Sequence, residues 1–102
     1  SQKQIEIVFA DDIAEQACFN VVNCIWLQEC KKEKPDWDTI LSYLIELSDF
    51  AQERKQELLW ACSIRGRIIV LAEYKGNIDA AIKLAEESQL RLLQIILLYI
   101  SL

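Results

Sequence analysis

Four cysteines, three close carboxylate pairs and an arginine one helical turn beyond a thiol are the residues here whose chemistry could reach past folding. No histidine accompanies them, so the usual general acid and base is missing, and catalysis would fall to carboxylates, Lys, Cys or Tyr. Cys18, Cys24, Cys30 and Cys62 are even in number, which in a short secreted chain would indicate two disulfides. No signal-peptide pattern is expected ahead of them, and neither a C-x-x-C pair nor a histidine completes a common zinc site. Nothing adjacent to Cys18, Cys24 or Cys30 would lower a thiol pKa, and Arg65 after Cys62 is a weak signal. The expectation is free, mostly buried thiols in a reducing, cytoplasmic setting. The pairs Asp11 with Asp12, Asp36 with Asp38 and Glu86 with Glu87 are explained more simply as helix-start residues or solvated faces. Gly66 and Gly76 stand alone, so no glycine loop cradles phosphate. The residues therefore predict no enzyme, no cofactor and no metal.

What must position these residues is a short, apolar chain. Its 102 residues suit one domain, and 53% hydrophobic content with two Gly and one Pro fits an all-helical fold with few bends. A net charge of -5 argues against a nucleic-acid surface. The strongest local signal runs from Tyr74 to Ser88. Gly76 can close one helix in the left-handed conformation, Asn77 can cap the next, and Ala81, Ala85 and Ser88 form a narrow stripe where a neighbouring helix approaches.

In order, Ile5, Val8, Phe9, Ile13, Ala17, Val21, Cys24 and Leu27 step by three or four, which predicts a helix from Ile5 to Lys31, with a break near Phe9 to Asp12 left open. Lys31 to Pro35 is the first elbow, and Asp36 or Asp38 can cap a second helix over Thr39 to Leu47. Ser48 or Asp49 can stop it and cap a third helix, which runs to about Lys75 and buries Leu58, Leu59, Cys62, Ile68, Ile69 and Leu71. Gly66 inside it marks a close crossing or a bend. Ile68 to Leu71 has β propensity, but no partner strand is evident, so helix is preferred. The fourth helix starts near Ile78 and continues toward the end of the sequence.

Cys18 to Ser48 lies over Leu59 to Gln89 without a gap at an offset of 41 residues, with Pro35 on Gly76 and Asp36 on Asn77. Apolar positions agree, as in Leu27 with Ile68 and Ile40 with Ala81, and such self-similarity is the mark of a helical solenoid. Chance agreement between two amphipathic hairpins is the alternative. Through Gly76, Asn77, Ile78 and Ala81 the second hairpin resembles the tetratricopeptide-repeat family, whose pairs place a Gly before the turn and an Ala-rich second helix after it. It departs from that pattern at Arg65, Ile68, Ile69 and Ala72, and its period is longer. In this it is more similar to the looser repeats in sensor regions of signalling ATPases and helical transcription activators.

The expected fold is thus all-α: two antiparallel helical hairpins, about 5–48 and 49–102, stacked as a short tetratricopeptide-like solenoid or a four-helix bundle. The resemblance implies a concave groove for a protein or peptide, lined by Arg67, Val70, Glu73 and Tyr74 and, through the offset, by Trp26, Glu29, Lys32 and Glu33. Trp26, Arg67 and Tyr74 are the preferred anchors, although Trp26 could equally pack in a core. From Leu90 to Leu102 the sequence is apolar nearly all round but shorter than the roughly 20 residues that span a bilayer, so no membrane partner is expected. That helix is a buried core element, a dock for a further repeat, or a self-association surface through Leu93, Leu97 and Ile100. The missing initial methionine adds the expectation of a processed or excised segment; a homo-oligomer or a piece of a longer chain, in a signalling or regulatory scaffold, follows.

Overall fold

The computed structural model describes residues 16, 17 and 20–100 and is all-α. Helix α1 covers 20–30, α2 is Trp37–Glu53, α3 is Glu57–Ile69 and passes into a π-helical turn at Val70–Tyr74, and α4 is Ile78–Ile100. No strand occurs among the described residues, so Ile68 to Leu71 is helical despite its β-branched composition. The expected residues Ile5, Val8, Phe9 and Ile13, the break near Phe9 to Asp12, and Cys18 lie outside the described residues.

Both elbows form as their residues dictate. Asp36 caps α2, its Oδ1 accepting from the Thr39 amide at 3.1 Å and its Oδ2 from the Thr39 hydroxyl at 2.7 Å. Asn77 repeats this at α4, with its Oδ1 accepting from the Ala80 amide at 3.2 Å. α2 and α4 begin at Trp37 and Ile78, the same 41-residue offset that aligns the elbows in sequence. The buried faces correspond as well, Ile40 and Leu47 matching Ala81 and Ser88. At the second elbow Gly76 has φ +65°, and the Asn77 amide reaches back to the Leu71 carbonyl at 2.7 Å. A Cβ at Gly76 would meet nothing within 4 Å, so Gly76→Ala carries only the left-handed backbone penalty, roughly 1–2 kcal/mol. A thermal melt of this variant should show that loss with unchanged helicity; no loss would mean that the turn relaxes to another conformation.

Two boundaries differ from the periodicity reading. Ser48 does not stop α2. It is buried in mid-helix, its hydroxyl oxygen 2.8 Å from the Leu44 carbonyl, and the inward face continues through Leu44, Leu47, Ser48 and Ala51 to Glu53. The turn falls at Arg54 to Gln56 instead, where Lys55 takes φ 57° and the Gln56 amide bonds the Ala51 carbonyl at 2.8 Å. A lysine in a conformation usually given to glycine is why the sequence does not advertise this turn. The first hairpin therefore runs past 48.

α3 is the central element, packed on α2 along one side and on α4 along another. It buries Leu59, Trp60, Ser63 and Ile64, and its π-helical turn buries Val70, whereas Leu58 and Cys62 are exposed. The inward face contains a serine and a glycine, so its apolar spacing alone places the face about one residue off. Gly66 marks a close crossing: a Cβ there would lie 3.1 and 3.2 Å from the two methyl carbons of Leu44. One core cluster joins Leu47, Ala51, Leu59, Trp60, Ile64 and Ile95; a second joins Ile40, Leu44 and Val70. The radius of gyration, 15.2 Å, exceeds the roughly 13 Å of a compact chain this long, as an extended stack of helices should.

Candidate interaction surfaces

The residues expected to bind a partner fall into three settings. At the elbow end, Trp26 from α1, Trp37 from the start of α2 and Tyr74 from the π-helical turn form one ring cluster. Trp37 stacks on Tyr74 at 3.9 Å between centroids, and Trp26 meets both edge-on at 5.7 and 5.9 Å. Rings this close touch one another and leave no cage for a cation between them. The cluster ties three helical segments together, and Lys75 closes it with an ion pair to Asp38. Tyr74 still presents part of its ring to solvent, beside the exposed Glu73. Trp37 was not marked by the sequence, because its importance lies in a contact with a residue far along the chain.

Glu29 is not an open groove residue. It is buried, one carboxylate oxygen accepting from the Lys32 ammonium at 2.5 Å and the other from the Asp36 amide at 3.0 Å. It thereby fastens the end of α1 to the start of α2. The Lys32 bond, followed by the Asp36 amide, holds its pKa below the usual carboxylate value, and Thr39 does the same for Asp36. Because folding depresses both pKa values, their stabilisation is complete above the unfolded-state pKa and lost as pH falls through the folded one, beginning below about pH 5. Glu29→Gln should therefore lower the melting temperature at neutral pH and converge on the wild type near the acid end of a pH series. A constant gap across the series would show that the carboxylate charge is not what matters.

The second setting is internal. Val70 is fully buried against Ile40 and Leu44 and offers no surface to a partner. Arg67 is half-buried and donates from Nη1 to the Ser48 hydroxyl oxygen at 3.3 Å. Ser48 and Ser63 are 2.8 Å apart across the α2–α3 interface, and Ser63 lies 2.6 Å from the Trp60 carbonyl. Arg67 donates into Ser48, and the two serine hydroxyls distribute their protons between each other and the Leu44 and Trp60 carbonyls. The expected groove residues Glu29, Arg67 and Val70 are thus largely structural.

The third setting is open and apolar. Between α3 and α4 lies a groove of about 800 Å³ lined by Leu58, Ile68, Leu92, Ile96 and Ile100, with Arg65 among its lining residues. Beside it, Leu93, Leu97 and Ile100 are 47%, 65% and 74% exposed. With Ile78, Ile82 and Ile96 they lie as a stripe on one outward face of α4, three or four residues apart within 78–82 and 93–100 and three turns apart between Ile82 and Leu93. This spacing is legible in the sequence, although the neighbouring apolar residues of the same helix obscure it. Ile95 is buried in the main core and sets the rotation of α4, so the stripe cannot turn inward without breaking that contact.

Cys24, Cys30 and Cys62 are free and exposed, contrary to the expectation of buried thiols. The reason is that α1 and α3 each keep an outer face, and these positions fall on it. Among the described residues no cluster of three potential metal ligands occurs, and no helix is long and apolar enough to cross a membrane. No family model, no curated protein and no solved structure matches the chain, so the tetratricopeptide resemblance rests on the residues around Gly76.

Proposed function

We propose that this chain is a non-catalytic, cytoplasmic protein-interaction module of the helical-repeat type, working within a larger signalling or regulatory assembly, and that its working surface is the α3–α4 groove with the adjoining stripe. The observation that carries this reading is the unpartnered carbon surface of α4, since a solvent-exposed apolar patch of this extent marks an interaction site. Recognition there rests on shape and apolar burial, with no bond made or broken. The matching elbows and the 41-residue spacing of α2 and α4 support the tetratricopeptide-like description.

The test separates a working surface from a hidden core face. The double variant Leu93→Glu, Leu97→Glu should keep its circular dichroism spectrum and stay within about 0.5 kcal/mol of wild-type stability, as surface changes do. It should lose the binding of 8-anilinonaphthalene sulfonate, or the association, that the wild type shows. Unfolding of the variant would sink the proposal, because the stripe would then belong to the core.

A second reading keeps the elbow end as a peptide site. It is favoured by the π-helical turn, a feature frequent at functional sites, which presents Glu73 and Tyr74 beside Trp26. Under that reading Trp26→Ala removes partner binding and leaves the oligomeric state intact.

A further inference from the structure

We infer that the occupant of the α3–α4 groove is a second copy of this chain, placed by a twofold axis that crosses α4 near Leu93 and Leu97. The inference rests on the α3–α4 groove being the working surface, and it names the partner. One helix carries both halves of the contact. Leu92 and Ile96 form a wall of the groove, while Leu93 and Leu97 stand next to them as a ridge. A twofold axis through such a helix lays the ridge of each copy against that of the other and covers the α4 wall of each groove, which closes the pair.

The area fits. The exposed parts of Leu58, Leu90, Leu93, Ile96, Leu97 and Ile100 leave roughly 600 Å² of carbon surface in water, at the upper end for a monomer. These residues include the outer walls of the groove, so a pair would bury about 1,200 Å² in all, the lower bound for a specific complex. Charge opposes the pairing little: the chain carries a net -5, yet residues 92–100 include no charged side chain, and Arg65 is the charged residue lining the groove. A helix from an unrelated protein would satisfy the groove but would leave the ridge uncovered.

Sedimentation equilibrium across the micromolar range should give twice the monomer mass for the wild type. Leu97→Glu should give the monomer mass with an unchanged helical spectrum, and Leu27→Glu, an equally exposed change on α1, should remain dimeric. With the four native cysteines replaced by serine, Leu97→Cys should form a covalent dimer under mild oxidation and Leu27→Cys should not. A monomeric wild type that binds 8-anilinonaphthalene sulfonate through Leu93 and Leu97 would overturn the dimer while leaving the proposed working surface standing. A dimer that survives Leu97→Glu would also overturn it, since the axis would lie elsewhere.

Discussion

Trp60→Ala should remove about 3–5 kcal/mol of folding stability, the usual loss when a large aromatic leaves a core. Against the roughly 5–15 kcal/mol that holds a domain of this size together, such a loss leaves a marginal protein. Trp60 joins the cluster of Leu47, Ala51, Leu59, Ile64 and Ile95, so its ring belongs to the core that unites α2, α3 and α4. The Arg91 guanidinium sits 5.3 Å from its centroid, and Arg91 also reaches Glu57 at 3.8 Å. Losing the ring therefore opens a cavity and removes the surface on which Arg91 rests. Urea denaturation followed by circular dichroism measures the loss, and Trp60→Phe should recover much of it. A change below about 1 kcal/mol would be incompatible with a core centred on this residue.

Gly66→Val should cost about 2 kcal/mol, although valine is the better helix former of the two. The reason is the approach of Leu44: a Cβ alone would sit 3.1 Å from one of its methyl carbons, and two further methyl groups cannot be accommodated without moving α2. Gly66→Ala is the informative control. Its one added carbon presses on the mobile tip of a leucine, and alanine recovers about 1 kcal/mol of helix propensity, so this variant should fall within about 1 kcal/mol of wild type. Combining Gly66→Val with Leu44→Ala should cost less than the two changes summed, with a coupling of about 1 kcal/mol. Additive losses would show that the valine strains something other than Leu44.

The sequence announces those features whose cause is local. Asp36, Gly76 and Asn77 act within a few residues of themselves, and the elbows they build are found as expected. The close crossing at Gly66 was likewise foreshadowed by a glycine in a helix interior. Features caused by distant partners were not readable. Ser48 looks like a cap until Ser63 is brought opposite it, and Glu29 looks like a surface charge until the elbow folds over it. For the candidate surface the outcome divides the same way. Leu93, Leu97 and Ile100 stand exposed where their apolar crowding left a buried core helix equally open, whereas Val70 and Glu29 are consumed by packing that periodicity cannot assign.

α3 lies between α2 and α4, and the strongest contacts join helices adjacent along the chain. Order can therefore start where α2 meets α3 and spread outward by adding one neighbour at a time, with little loop-closure entropy to overcome at each step. Loosening should follow the reverse route. Amide protons at Leu47, Ala51 and Ile64 would be the last to exchange, and the far end of α4 would exchange early in the monomer but slowly in the pair that covers it.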